Sequence, residues 1–115
     1  MKTENKILEL SFSFSLQIVA LYKKLQEKKE FVISKQILRS GTSIGANVEE
    51  ATAAQSRKDF ISKMAIASKE ARETRYWLKL LQESKLVDID YSAYLESVTH
   101  IINILTKIVK TSQEN

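Results

Sequence analysis

The sequence predicts an all-α protein, an antiparallel up-down-up-down four-helix bundle, and three observations lead there. The 115 residues include no proline and only two glycines, so the residues that ordinarily punctuate strands and turns are nearly missing and long uninterrupted elements follow. Apolar residues recur every three or four positions through four separate stretches, the period of a helix that buries one face. The junctions between those stretches are short and charged, which makes consecutive helices antiparallel neighbours. A chain of this length reads as one domain, residues 1–115, long enough to bury a core and too short for two independently folded halves.

The first helix, about 4–28, carries Ile7, Leu10, Phe14, Ile18, Leu21 and Leu25 on one stripe. The alternation Phe12-Ser13-Phe14-Ser15-Leu16 has the period of a strand, but it is short and the helical stripe runs straight through it. Beyond the charged junction Lys28-Lys29-Glu30, the second helix, about 31–55, places Ile33, Ile37, Gly41, Ile44, Val48, Ala51 and Gln55 in strict alternation of four and three. Ser56-Arg57-Lys58-Asp59 then sets a hydroxyl three residues before a carboxylate, the spacing of a capping box, and marks a tight turn. The third helix, about 57–85, has a heptad-like seam of Phe60, Met64, Ala67, Ala71, Thr74, Leu78 and Leu81, widened by Trp77 and Leu80. Leu86 to Asp90 forms a short connection in which Asp88 or Asp90 supplies a cap. The fourth helix, about 90–112, shows Tyr91, Tyr94, Val98, Ile101, Leu105 and Ile108 flanked by Leu95, Ile102 and Val109, an unusually wide apolar face.

The densest signal is the run of small residues from Arg39 to Ala54 within the second helix. Glycine costs about 1 kcal/mol against alanine in a helix interior, so packing has to hold this segment helical. Gly41-Thr42-Ser43-Ile44-Gly45 is not a phosphate loop, because Ala46 and Asn47 stand where the lysine and hydroxyl of that loop would follow. The reading that remains is close backbone approach, with Ser40, Gly41, Ile44 and Gly45 at a helix or subunit contact.

Catalytic chemistry finds no foothold. There is no cysteine, which removes thiol chemistry and fits a cytoplasmic setting, and no secretion signal or membrane-spanning run is visible. Glu49, Glu50, Glu70 and Glu73 suggest a metal bundle. However, Glu70-Ala71-Arg72-Glu73 lacks the histidine of a Glu-x-x-His ligand pair, and the one histidine, His100, has no nucleophile at a recognisable spacing. No metal, cofactor or enzyme activity is implied. These acids pair instead with Arg39, Arg72 and Arg75, with Lys69 and Glu73 spaced as an i,i+4 pair. Asn47, Glu50 and Arg72 are placed in a polar network beside the seam, and Trp77, Tyr91 and Tyr94 in the core.

Net charge is +4 and the isoelectric point about 9.3, a lean toward phosphate-rich partners. In an up-down-up-down bundle the start of the first helix, the turn between the second and third, and the end of the fourth share one end. That end gathers Lys2, Lys6, Arg57, Lys58, Lys107 and Lys110 as candidate nucleic-acid contacts. Glu4, Glu9, Asp59 and Glu114 are the acids nearby. At the other end Lys23, Lys24, Lys28, Lys29, Lys79 and Lys85 face Glu27, Glu30, Glu83, Asp88 and Asp90.

With these residues set out, the chain resembles the four-helix-bundle family of 23S ribosomal RNA intervening-sequence proteins. The resemblance is carried by Gln36-Ile-Leu-Arg-Ser-Gly-Thr-Ser-Ile-Gly-Ala-Asn-Val-Glu-Glu50, by Ser56-Arg-Lys-Asp-Phe60 and by Lys69-Glu-Ala-Arg-Glu-Thr-Arg-Tyr-Trp-Leu78. Some members of that bacterial family are encoded inside ribosomal RNA gene insertions and others are free-standing. A related branch serves diversity-generating retroelements as accessory proteins that bind reverse transcriptase and nucleic acid. The resemblance implies a ring-like homopentamer, and the reading adopted is a non-enzymatic homo-oligomeric scaffold whose partner is RNA or an RNA-protein complex. The alternative is an oligomeric protein-protein adaptor with no nucleic-acid ligand.

Overall fold

The apolar periods become four helices in the computed structural model, which describes residues 2–114: α1 (Lys2–Glu27), α2 (Ile33–Thr52), α3 (Arg57–Ser84) and α4 (Ser92–Gln113). At about 1.5 Å per residue the longest, α3, spans roughly 42 Å. The molecule measures 46 × 21 × 21 Å, so the helices lie along its one long axis. Among the described residues α1 and α3 each contact α2 and α4, and neither diagonal pair meets. Ile18 and Ser11 of α1 lie against Gly41 and Gly45 of α2, while Ser40 and Glu50 of α2 bond to Thr74 and Lys63 of α3.

The stripes read from the sequence form the core. Ile7, Phe14, Ile18, Leu21 and Leu25 meet Ile37, Ile44, Val48 and Ala51 from α2 and the buried seams of α3 and α4. Each large side chain so buried contributes about 1.5–3 kcal/mol. Phe14 is buried while Phe12 and Leu16 remain 66% and 59% exposed, so the strand-like alternation is a helix that leaves two large apolar groups outside. The breadth of α4 is used internally: Ile102 is buried and Leu95 and Val109 pack partly buried against the core.

Gly41 and Gly45 lie where α1 and α2 come closest. A Cβ on Gly41 would sit 2.9 Å from both branch carbons of Ile18, and one on Gly45 would sit 3.3 Å from the Ser11 carbonyl oxygen and the Ser15 hydroxyl. The opposing face of α1 is small for the same reason. The Ser11 and Ser15 hydroxyls donate to Leu8 and Ser11 carbonyls at 3.2 and 3.0 Å, which satisfies them within their own helix. On the other flank of α2, buried Ser40 shares a 2.8 Å hydrogen bond with buried Thr74 of α3. The close packing of Ser40, Gly41 and Gly45 is thus used between helices of one chain.

Helix ends differ from the sequence reading in instructive ways. α2 ends at Thr52, not near 55, because the Ala53 and Ala54 amides donate to the Glu50 and Ala51 carbonyls at 3.2 and 3.1 Å, a tightened last turn that leaves Gln55 exposed. The Ser56 hydroxyl accepts from the Asp59 amide at 3.0 Å and starts α3 as anticipated. At α4 the N-cap is Tyr91, without a side-chain cap, and Asp90 one residue earlier accepts the Ser92 amide at 2.9 Å. That bond holds the Asp90 carboxyl below its ordinary value. A group depressed in this way stabilises the fold above its unfolded pKa and loses that contribution as pH falls through the folded value.

With both glycines inside α2, the turns use lysine in the left-handed region, at Lys29 (φ 63°) and Lys85 (φ 56°). The Lys29 and Glu30 amides donate to the Gln26 and Leu25 carbonyls, each at 2.9 Å, a Schellman motif that ordinarily holds glycine at the Lys29 position. Lys29→Gly is expected to raise stability by up to about 1 kcal/mol, read from denaturant midpoints. Gly41→Ala is expected to cost about 1–2 kcal/mol despite alanine's better helix propensity, because buried, β-branched Ile18 has no room to retreat. That cost should shrink in an Ile18→Ala background, and a Gly41→Ala melt above the parent's would remove the close contact from the account.

Candidate nucleic-acid interface

Helix direction brings distant lysines together. Lys6 from α1 and Lys107 from α4 line one depression of about 390 Å³, floored by Phe60, Ile104 and Ile108. Arg57 and Lys58, in the first turn of α3, line a second with Ile61 and Gln113, and Ser112 borders both. Lys110 lines a third between α3 and α4, beside Arg72 and Thr106. Lys6, Arg57, Lys58, Lys107 and Lys110 are all exposed, whereas the side chain of Lys2 lies outside the described residues.

At the opposite end Glu27, Glu83, Asp88 and Asp90 stay exposed, while Glu30 turns inward. Its carboxylate accepts the Val32, Ile33 and Ser34 amides at 3.2, 3.1 and 2.6 Å, which caps α2 and sets its start at Ile33. The Ser34 hydroxyl donates back to the Glu30 carbonyl at 2.7 Å, and the Gln26 amide reaches the same hydroxyl at 2.9 Å. Nearby Tyr91 is buried and donates to the Val87 carbonyl at 3.0 Å, with burial pushing its phenol up. Lys23, Lys24, Lys28 and Lys29 stay exposed. At the first end, Lys6 and Lys107 flank a recess lined by Phe60, Ile104 and Ile108.

The proposed polar network of Asn47, Glu50 and Arg72 does not form as a unit. Asn47 is half-buried and its Nδ2 folds back to the Ser43 carbonyl at 2.9 Å. Glu50 is exposed and pairs with Lys63 at 2.8 Å, which holds the Lys63 ammonium above its usual value. Arg72 reaches across to the Thr106 hydroxyl at 3.1 Å on α4. A helical position beside a seam does not determine which way a long side chain leaves it.

A cluster that sequence reasoning had only partly anticipated staples α2 to α3. The Arg39 guanidinium contacts both Glu70, at 3.3 Å, and Glu73, and Glu73 also accepts the Trp77 indole N–H at 3.0 Å. Glu73 is thereby engaged with Arg39 and Trp77. The legible signal was Glu70, Glu73 and Trp77 at three- and four-residue spacing on α3. Ser40, Gly41, Ile44 and Gly45 sit at contacts within the bundle, as described above. His100 is exposed on α4 beside Leu10 and Gln17 of α1. Among the described residues no group of three or more His, Cys, Asp or Glu is placed to hold a metal ion, and no helix is long and apolar enough to cross a membrane.

Glu30→Ala is expected to destabilise the protein by about 1–2 kcal/mol, because three helix-start amides lose their acceptor. Glu50→Ala is expected to cost no more than about 1 kcal/mol, since an exposed pair is worth little. Thermal melts of the two variants side by side check both values, and a larger loss from Glu50→Ala would reverse the assignment of which carboxylate is structural.

The model of the 23S rRNA-intervening sequence protein family matches residues 3–107 of the chain. A crystal structure of a protein of unknown function from the S23 ribosomal protein family of Bacteroides thetaiotaomicron is similar throughout. The two share 51% identity with a TM-score of 0.88, over 94% of this chain and 98% of that one. Among curated proteins none matches.

Proposed function

The chain belongs to the 23S rRNA-intervening sequence protein family, and from that premise we propose that it is a non-enzymatic, cytoplasmic scaffold built on an up-down-up-down bundle. In this reading it assembles as a ring-like homopentamer and binds RNA, alone or within an RNA-protein complex, through its basic end. The observation that carries the RNA reading is the gathering of Lys6, Arg57, Lys58, Lys107 and Lys110 around recesses at one end. Lys2, at the start of α1, is included by its place in the helix. A ring repeats that end around one rim, so a weak attraction per subunit is multiplied through multivalency.

Self-association is supported by the outer side of α1. Phe12 and Leu16 lie one turn apart and largely exposed, and Phe12 borders an apolar depression of about 590 Å³ that includes Ser15, Gly45 and Ala46. The same stripe favours the second reading, an oligomeric adaptor for another protein, if RNA does not bind. Light scattering behind size exclusion is expected to give a closed oligomer for the parent and smaller species for Phe12→Ser/Leu16→Ser. A monomeric parent at micromolar concentration would defeat the assembly.

RNA binding is expected to weaken steeply as salt rises and to show little sequence preference, because phosphate contacts release counterions without reading base edges. Arg57→Glu/Lys58→Glu should lose binding and Lys28→Glu/Lys29→Glu should keep it. Equal loss in both, or no binding by the parent at low salt, removes the basic end as the RNA face.

A further inference from the structure

We propose that the depression between the start of α1 and the end of α4 holds one unpaired nucleotide of single-stranded RNA, its base against Phe60 and its phosphodiester between Lys6 and Lys107. This rests on the basic end being an RNA-binding face and specifies what that face takes. The recess, about 390 Å³ and open on one side, is of the size of small-ligand sites, roughly 300–1,000 Å³. Its lining is divided by chemistry. Phe60, Ile104 and Ile108 make an apolar floor, Lys6 and Lys107 bring two ammonium groups, and Thr3, Thr111 and Ser112 add hydroxyls.

Each part of that lining narrows the ligand. A free inorganic anion would use the lysines and leave the apolar floor unused. An acyl chain would use the floor but gains nothing from a ring of hydroxyls in a short recess open to water. A flat base joined to a sugar phosphate uses all three kinds of group. A base stacked within a duplex cannot reach a recessed ring, whereas an unstacked one in a single strand can lie on an aromatic side chain. The strand also has a path onward, because Ser112 borders both this recess and the neighbouring one lined by Arg57 and Lys58.

The test compares a short oligoadenylate with an abasic strand of equal length and charge, on the full chain at fixed salt. The oligoadenylate should bind about tenfold more tightly, the scale of one base stacked on an aromatic side chain. Phe60→Leu should erase that difference while leaving abasic binding unchanged, and Lys107→Gln should weaken both strands. Independently of any variant, the parent saturated with oligoadenylate should show nuclear Overhauser contacts between adenine protons and the Phe60 ring. Salt-dependent binding of both strands with no advantage for the base-bearing one would overturn the nucleotide recess and leave the basic RNA face standing. Failure of both strands to bind would overturn both. A base advantage that survives Phe60→Leu, or a saturated complex without contacts to Phe60, would overturn the recess alone.

Discussion

The approach of α1 to α2 at Gly41 and Gly45 fixes the rest of the structure. Ile18 fills the place a side chain at Gly41 would take, and the Ser11 backbone lies over Gly45. Two glycines in a helix interior each cost about 1 kcal/mol in propensity, and the burial gained by closer packing offsets it. The contact also sets register and rotation. Sliding α1 by one turn would replace the Gly41–Ile18 fit with larger α2 side chains such as Ile44 or Ile37. Rotating α1 would bring Phe12 and Leu16 inward at the expense of Phe14 and Ile18. With α1 held in this way, its first turns lie along the last turns of α4, and Lys6, Lys107 and Phe60 of α3 line one recess.

The charged surface follows from where carboxylates are used. Glu30 is committed to the amides that open α2. Glu70 and Glu73 are taken by Arg39, and Glu50 by Lys63. None of these acids sits beside the end lysines Lys6 and Lys107, where Glu4 is the carboxylate on the wall. Net charge alone describes a mildly basic protein. The arrangement of partners leaves Lys6 and Lys107 beside a recess at one end and Lys23, Lys24, Lys28 and Lys29 exposed around an inward-facing Glu30 at the other.

The four helices, the cap at Ser56 and the glycine seam were legible because each rests on local spacing: a helical period, a hydroxyl three residues before an acid, or a missing side chain on an apolar stripe. What was not legible depends on how side chains turn. Glu30 read as a surface acid because its role needs the chain to bend at left-handed Lys29, a conformation that sequence assigns to glycine first. Asn47 and Arg72 have the right spacing for a shared network, yet one folds back on its own helix and the other crosses to α4. Gln55 fits the α2 period, but the turn into α3 ends the helix before it. The gathering of Lys6 with Lys107 was legible from helix direction, whereas the recess beside Phe60 was not, because Phe60 packs against the core from its seam position and only its outer side lines the recess.

The family match and the similar Bacteroides structure establish the kind of protein this is; the proposed RNA face is the end where α1 begins and α4 finishes. Isotope-edited NMR on the full chain, titrated with single-stranded RNA at low salt, tests that most directly. Amide shifts are expected to concentrate in residues 3–8, 57–61 and 104–113 and to be reversed by added salt. Shifts centred on residues 23–35 and 84–92, or spread evenly over the helices, would contradict the proposed RNA face.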